Sequence, residues 1–312
     1  MIPETGLMDL SASCLEVSGK DSRDFLNRIL TNDIKTLRPK KGSYNCICDR
    51  KGKILADLYC YACQGYAYQD YFRIHCAFSL KEKILNLLTQ YIIIEDVQVK
   101  DISTEWGGAC AVIGPGSQAA FQEVFPALPD QDLSLSDLIW NKRPYLVIHR
   151  NRWSLEGYDI WAEKTDLAEL KKVLKIPRLT EERAEMMRIE TLTPLYGVDM
   201  DEHTIPQEAC LYDALNFKKG CYVGQETIAR LENLGHVNKE LCLLTLEGRQ
   251  LPQKGDLILT PDQQEAGFVT SSCLSEKQGS VIALGYIKYI YRELSAFYVN
   301  GQKAKRCGLS TK

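Results

Sequence analysis

The chain has 312 residues, of which 45% are hydrophobic, 25% charged and 9% aromatic, a composition typical of a globular protein of two or three domains. Its formal net charge of −3 argues against broad attraction to a nucleic-acid backbone, so we expect no direct nucleic-acid partner. The first ten residues lack the basic stretch and apolar core of a signal peptide, and no apolar run approaches the roughly 20 residues that span a bilayer. We therefore expect a cytoplasmic protein with no membrane partner.

Strands and helices alternate irregularly in the first third of the chain. Asp21 is positioned to cap the first helix, and Ser79 and Glu82 have the spacing of a capping box for the second. The polar turn 49–53 between two strand-like runs predicts a hairpin. Strands are predicted over 14–17, 44–48, 54–61 and 71–76, and helices over 21–30 and 79–91. This order favours an α+β fold.

The pattern is weaker in the middle of the chain and becomes β-rich at its end. Gly114-Pro115-Gly116 precedes a predicted helix, 145–149 reads as a strand, and helices are predicted over 166–174 and from 180 to 189. Short β-rich runs then recur between Gly, Pro and polar turns, over 241–246, 256–259, 267–271 and 280–287. Such spacing predicts a small terminal β-barrel or sandwich.

One segment concentrates chemically active residues: 217–230 reads FKKGCYVGQETIAR. The positive charges of Lys218 and Lys219 would favour the thiolate of Cys221. Gly224 permits a close backbone approach that a Cβ would block. Taken alone, cysteine statistics favour a surface turn with a packed cysteine.

The run KGCYVGQE resembles the signature of the YgfZ family, folate-binding proteins that support iron–sulfur clusters and are related to the glycine-cleavage aminomethyltransferases. Segments resembling this superfamily occur in the same order over 15–33, 42–57, 188–208 and 267–286, whereas 104–178 match only by position. The resemblance implies a GcvT-like α+β fold, a cloverleaf of three subdomains with antiparallel sheets. Residues 1–236 would form the folate-binding region, as two interleaved α+β subdomains, and 237–312 a C-terminal β-barrel.

The same resemblance implies the residues of a folate site. Asp57 would contact the folate and support catalysis, Tyr44 and Tyr61 would line the pocket, and Glu190 would meet the pterin ring. Carboxylates accept paired hydrogen bonds from a pterin and can move a proton, and aromatic rings pack against its flat ring. Gln225 would lie at the folate where the aminomethyltransferases often carry arginine. Taken singly, each of these residues also suits an ordinary core or surface position.

Departures from the aminomethyltransferases favour the cluster-maintenance branch. Ala56 replaces the first of their paired aspartates, Gln225 replaces the arginine that would pair with a folate carboxylate, and they normally lack a cysteine at the position of Cys221. The predicted function is a tetrahydrofolate-binding accessory protein for iron–sulfur cluster assembly or repair. Its catalytic residues would be Cys221, Lys219, which would tune the thiol, and Asp57.

Two alternatives remain open from the sequence, namely a folate-dependent aminomethyltransferase and a folate-sensing scaffold without chemistry. In the leading hypothesis the partners are iron–sulfur client or assembly proteins, and enzymes that modify tRNA would be supported only indirectly, through their clusters.

The twelve cysteines are expected to be reduced in a cytoplasmic chain of this length. Four of them, in Cys46-x-Cys48 and Cys60-x-x-Cys63, raise the alternative of a four-thiolate metal site. Their spacing is unlike a standard zinc knuckle, so no metal site is expected. The four histidines form no spaced cluster either.

Overall fold

The computed structural model describes residues 5–65 and 70–307, which form two five-stranded antiparallel sheets and a closed barrel. The helices are α1 (Ser22–Ile29), α2 (Lys81–Gln90), α3 (Ser103–Trp106), α4 (Ser117–Gln122), α5 (Lys164–Leu174), α6 (Glu181–Glu190) and α7 (Gln225–Leu234). The strands of the sheets are β1 (Gly6–Asp9), β2 (Ala12–Ser18), β3 (Gly42–Cys48), β4 (Ile54–Gln64), β5 (Asp70–Ala77), β6 (Gln98–Asp101), β7 (Gly108–Ile113), β8 (Leu135–Trp140), β9 (Arg143–His149) and β10 (Gly157–Ala162). The barrel strands are β11 (Lys239–Leu246), β12 (Leu257–Leu259), β13 (Glu265–Ser275), β14 (Ser280–Lys288), β15 (Ala296–Val299) and β16 (Gln302–Arg306).

The first sheet has the order β3-β4-β5-β2-β6 and different side chains on its two faces. Because side chains alternate along a strand, β4 directs Leu58 and its neighbours to a core shared with Phe25 and Leu26 of α1. The opposite face of β4 carries Asp57, Tyr59 and Tyr61 in succession.

The second sheet has the order β1-β7-β10-β9-β8 and packs against that opposite face. Leu146, Ile148 and Trp161 from its strands share one buried cluster with Tyr61 and Cys63 of β4. The two sheets therefore meet over the strand that bears Asp57.

A buried ion pair joins α6 to the barrel. Asp199, which follows α6, accepts a 2.6 Å hydrogen bond from Nη1 of Arg188. Its other carboxylate oxygen accepts bonds of 2.5 Å from Thr270 and 2.7 Å from Ser271 of β13. Because this buried carboxylate accepts hydrogen bonds from both α6 and β13, the contact fixes the barrel to the rest of the chain.

The expected α+β class, with antiparallel sheets and a small C-terminal barrel, is confirmed. The capping box is wrong, because a short 3-10 turn over Phe78–Leu80 precedes α2 and no side chain caps its first residue. Asp21 does lie before α1, but its carboxylate accepts a bond from the backbone of Asp96 instead. The division at residues 236 and 237 stays a proposal. No helix within 5–65 and 70–307 is long and apolar enough to cross a membrane.

Candidate functional site

The hairpin of β3 and β4 brings two tyrosines and a carboxylate together. Tyr44 and Tyr59 are cross-strand partners, and their rings stack with centroids 4.8 Å apart. The Tyr44 hydroxyl donates a 2.9 Å hydrogen bond to Oδ2 of Asp57. Burial raises the pKa of the Asp57 carboxyl, while this bond and the charge of Arg150 act in the opposite direction. Asp57 is therefore a carboxyl whose pKa burial raises, placed where it can exchange a proton with a ligand in the cavity.

Arg150 and Arg152 extend from the turn that follows β9 into the same cavity wall as Asp57 and Tyr59. The Arg150 guanidinium lies over the Tyr59 ring, 3.6 Å from its centroid, a stacking geometry that arginine favours. Asp159 of β10 accepts a 3.0 Å bond from Arg150 and a 2.7 Å bond from Arg152. Although burial raises the pKa of Asp159, the guanidinium groups of Arg152 and Arg150 outweigh burial and hold it below its usual value.

A cavity surrounds this cluster in two compartments. The Trp161 compartment, of about 320 Å³, is lined by Asp57, His75, Trp161 and Tyr196 among others. The Tyr44 compartment, of about 420 Å³, is lined by Tyr44, Trp153, Cys210, Asp213 and the segment 191–194 among others. Tyr59, Arg150 and Arg152 line both compartments. The stacked Arg150–Tyr59 pair therefore lies at the boundary between them.

The structure brings Tyr44 and Asp57 together as the sequence predicts, but it places Tyr61 and Glu190 differently. Tyr61 is fully buried beside His75, with ring centroids 5.0 Å apart, and lies behind the cavity wall. Glu190, at the end of α6, accepts a hydrogen bond from Ser275 of β13. Glu190 lines neither compartment, and a role for it at the pterin stays a prediction.

The signature loop carries Cys221 as an exposed thiol. All twelve cysteines are within the described residues, and Cys221 alone among them is exposed. Neither Cys221 nor Gln225 lines the two compartments described above. Gln225 begins α7 and donates a long 3.5 Å bond to the Lys219 carbonyl.

Lys219 braces this loop against the end of α1. Its Nζ donates to three backbone carbonyls, at 2.8 Å to Asn27, 2.6 Å to Leu30 and 2.6 Å to Asn32. Burial lowers the pKa of Lys219 to about 8, against the attraction of Asp33. These bonds use all three N–H groups of the ammonium, so in the structure Lys219 positions the loop and does not bond the thiol.

The hairpin turn 49–53 also packs against this loop at Gly224. Gly224 has φ +85°, and a Cβ there would lie 2.5 Å from the Asp49 carbonyl oxygen and 3.0 Å from the Gly52 Cα. Only glycine fits both the dihedral angle and the space. Gly224 of the signature motif therefore provides the close contact between this loop and the hairpin that carries Asp57.

The four-thiolate metal alternative fails on geometry. Cys46 and Cys48 pack in one core, Cys60 in a second and Cys63 in a third. Residues three apart on a strand point to opposite faces, which separates Cys60 from Cys63. No group of three or more His, Cys, Asp or Glu residues within the described ranges is arranged to hold a metal ion.

Sequence reasoning missed Tyr59, Arg150, Arg152 and Trp161. The alternation that places Asp57 on one face of β4 also places Tyr59 there, so that signal was present. The other three lie in the segment that resembles the superfamily only by position, where two arginines near a turn look like surface residues.

A larger groove of about 640 Å³ lies between the segment before α6 and the barrel. Its lining contains none of the residues that the sequence predicts for the site. We therefore place the candidate site in the two compartments at Asp57.

Comparison with known proteins gives two domain matches and close structural agreement. Residues 3–152 match the GCVT N-terminal domain, and residues 239–306 match the glycine cleavage T-protein C-terminal barrel domain. The aminomethyltransferase of Chloroherpeton thalassium is 27% identical over 309 residues, covering 95% of this chain and 83% of that protein. That of Staphylococcus carnosus is 26% identical over 284 residues, covering 87% and 75%.

The crystal structure of glycine cleavage system aminomethyltransferase T from Bartonella henselae superposes with a TM-score of 0.86 at 18% identity, covering 99% of this chain and 86% of that one. This agreement shows a common fold. With both domain matches in the same order on one chain, it follows that the protein belongs to the GcvT-like family.

Proposed function

We propose that this protein binds tetrahydrofolate at Asp57 and supports the assembly or repair of iron–sulfur clusters in client proteins, as in the YgfZ branch of its family. The observation that carries the proposal is the pairing of a cavity suited to folate with one exposed thiol on a braced signature loop. Tetrahydrofolate is used by the aminomethyltransferases of this family, and when bound it supplies a carrier for one-carbon groups.

The cavity residues fit a folate chemically. The stacked rings of Tyr44 and Tyr59 offer an aromatic surface for a flat pterin or benzoyl group. The Asp57 carboxyl, half-buried and hydrogen-bonded by Tyr44, can accept from ligand N–H groups or exchange a proton with the ligand. The Arg150 guanidinium, stacked on Tyr59, lines both compartments and offers N–H donors for ligand oxygens.

In this proposal Cys221 is the residue that reacts with client proteins. Its exposure allows it to reach a cluster or a thiol on another protein, whereas a buried thiol would be inert. Lys219 and Gly224 hold the loop in place, as described above. Effects on tRNA-modifying enzymes would follow indirectly, through the clusters that those enzymes carry.

Anaerobic calorimetric titration with tetrahydrofolate tests the folate part, on wild type, Asp57→Ala, Glu190→Ala and Cys221→Ser. We expect saturable binding to wild type and Cys221→Ser, and binding weakened at least tenfold in Asp57→Ala. Loss of binding in Glu190→Ala would place that residue at the pterin. Absence of binding to wild type would refute the folate proposal.

The activity of an iron–sulfur enzyme in cells that lack this protein tests the client part. Wild type should restore that activity and Cys221→Ser should not, at equal protein levels. Full restoration by Cys221→Ser together with failure of Asp57→Ala would instead indicate a folate-sensing scaffold without thiol chemistry.

An aminomethyltransferase activity is the second candidate. The relatives reported above carry that name, and Asp57 lies in the wall of the cavity. Ala56, Gln225 and Cys221 count against it for the reasons given from the sequence. Tetrahydrofolate-dependent release of ammonia from an aminomethyl-lipoyl carrier protein would establish it, and no turnover with a folate-binding preparation would reject it.

A further inference from the structure

Two neighbouring isoleucines are exposed in the loop between α2 and β6. Ile93 is 83% and Ile94 92% exposed, although isoleucine is among the residues most often buried. Their backbone N–H groups donate bonds of 2.9 and 3.1 Å to Oε2 of Glu95, which also accepts a bond from Arg28 of α1. The Ile93 N–H group and the Arg28 guanidinium lower the pKa of Glu95 to about 2, so the carboxylate keeps these bonds at neutral pH. The loop therefore holds Ile93 and Ile94 together as an apolar tip, a feature typical of interaction surfaces.

Arg28 connects this apolar tip to the loop that carries Cys221. While its guanidinium binds Glu95, its backbone carbonyl accepts a 3.2 Å bond from the N–H group of Val223. Val223 precedes Gly224, which packs against the hairpin turn 49–53. A chain of direct contacts therefore joins the apolar tip, the Cys221 loop and the hairpin turn.

Three exposed cations lie in this loop and this turn. Arg50 and Lys51 form the outer end of the hairpin turn, and Lys218 lies three residues before Cys221. None of the three forms an ion pair with a residue in 5–65 or 70–307. This part of the surface is positively charged, although the chain as a whole has a net charge of −3.

The acids nearby offset only part of that positive charge. Glu95 is paired with Arg28, and Glu226 lies one turn from Arg230 on the same face of α7. Asp49 remains, with its carboxylate bonded to backbone N–H groups of its own turn. One carboxylate thus faces the three unpaired cations, and this surplus complements a partner with acidic side chains.

We propose that this surface docks the client proteins. The apolar tip would enter an apolar pocket of the client, and acidic side chains of the client would pair with Arg50, Lys51 and Lys218, which brings the client to Cys221. The Cys221 loop separates the apolar tip from the hairpin turn, so a partner that contacts both must be larger than a small anion, and a folded protein fits. The inference rests on the proposed function of Cys221 and adds the kind of client surface that it meets.

The charge of this surface can be measured through the reactivity of Cys221, the one exposed cysteine of the described residues. Its thiolate displaces one thionitrobenzoate from dithiobis(nitrobenzoate), a dianion, and forms a mixed disulfide. Dithiodipyridine reports the same step with a neutral disulfide, and Cys221→Ser gives the background rate. Arg50→Gln/Lys51→Gln/Lys218→Gln should lower the ratio of the dianion rate to the neutral rate about tenfold at low ionic strength, and hardly at about 1 M salt, because salt screens the charges.

The matched control replaces three exposed lysines on α5 and in the turn between β13 and β14, Lys164→Gln/Lys172→Gln/Lys277→Gln. It changes the net charge of the chain equally and should leave the ratio of rates unchanged. An equal ratio in wild type and in the variant of the Cys221 surface refutes the cationic surface.

The apolar tip can be tested by the activity of an iron–sulfur enzyme in cells that lack this protein. Ile93→Ser/Ile94→Ser should restore about fivefold less activity than wild type at equal protein levels, while its tetrahydrofolate affinity stays that of wild type. Ile139→Ser/Ile290→Ser is the matched control, because those side chains are 69% and 72% exposed at other places, and it should restore activity fully.

The outcomes separate docking from the proposed function. If the tip variant restores activity fully and Cys221→Ser does not, docking is refuted while the proposed function stands. If Cys221→Ser restores activity and the tip variant does not, docking stands and the thiol chemistry fails. No restoration by wild type refutes both.

Other occupants of the surface give their own results. Sedimentation of wild type as a dimer that the tip variant does not form would assign the tip to a second copy of this chain. Binding of wild type, but not of the tip variant, to vesicles of phosphatidylglycerol and phosphatidylcholine would assign it to a lipid surface. Either result overturns the docking of client proteins.

Discussion

Replacing Lys219 by methionine should destabilise the protein by about 2 kcal/mol. The change keeps the length of the side chain and removes three hydrogen bonds of 2.6–2.8 Å to carbonyls at and after the end of α1. Charge-assisted bonds contribute about 1.5–3 kcal/mol each, but burying the ammonium offsets part of that gain, as its lowered pKa indicates. What remains is the cost of leaving these three part-buried carbonyls without the lysine donor.

Urea denaturation at pH 7 measures this difference, with Lys218→Met as the matched control. Lys218 is the exposed neighbour of Lys219, so the same substitution there should change the free energy of unfolding by less than about 0.5 kcal/mol. Limited proteolysis should also cut the loop 216–224 faster in Lys219→Met alone. If the two variants unfold at the same urea concentration with equal slopes, the bracing role of Lys219 is refuted.

Acid should destabilise the protein through His75, because its folded pKa of about 3 lies below the unfolded value near 6.5. As the pH falls from 6.5 to 5, His75 gains a proton in the unfolded chain but stays neutral in the folded chain, so wild type should lose about 2 kcal/mol of stability. His75→Phe should not show this loss when urea unfolding is measured at both pH values. Gly224→Ala should cost about 2–3 kcal/mol from its positive φ and backbone clash, whereas Gly220→Ala, whose Cβ would meet nothing within 4 Å, should fold normally in the same assay. Asp199→Ala should lower stability by about 2–3 kcal/mol in thermal melts, because it removes the buried carboxylate that binds Arg188, Thr270 and Ser271, while Glu185 still pairs with Arg188. Equal melting temperatures would show that this carboxylate does not hold the barrel.

Local patterns in the sequence were sufficient for much of the first sheet and the barrel. Alternation over 54–61 places Asp57 on the face opposite Leu58, and the structure has that arrangement. Such patterns are predictive because side chains two residues apart on a strand lie on the same face of the sheet. The prediction of a capping box at Ser79 failed for a related reason: a 3-10 turn and the true helix start differ by a few residues, and local propensity alone does not separate them.

The signature motif and the segments around it indicated the GcvT-like family, while the YgfZ branch stays a proposal and the roles of the motif's residues did not follow from the sequence. From the sequence, Lys219 lies two residues from Cys221 and looks like a partner for the thiol. In the folded chain its Nζ turns to the carbonyls of Asn27, Leu30 and Asn32, which are distant in sequence. A flexible lysine side chain bonds to the acceptors that the folded chain places near it, and the local sequence does not identify those acceptors.

The sequence by itself thus determined the fold class, the hairpin of Asp57 and Tyr44, and the family to which the chain belongs. Tertiary structure alone decided that Arg150, Arg152 and Trp161 join that hairpin to form a cavity, and that the cysteines separate into different cores. The physical reason is the range of the interactions. Strand alternation and turn chemistry act between near neighbours in the chain, whereas the cavity arises only where two separate sheets pack face to face.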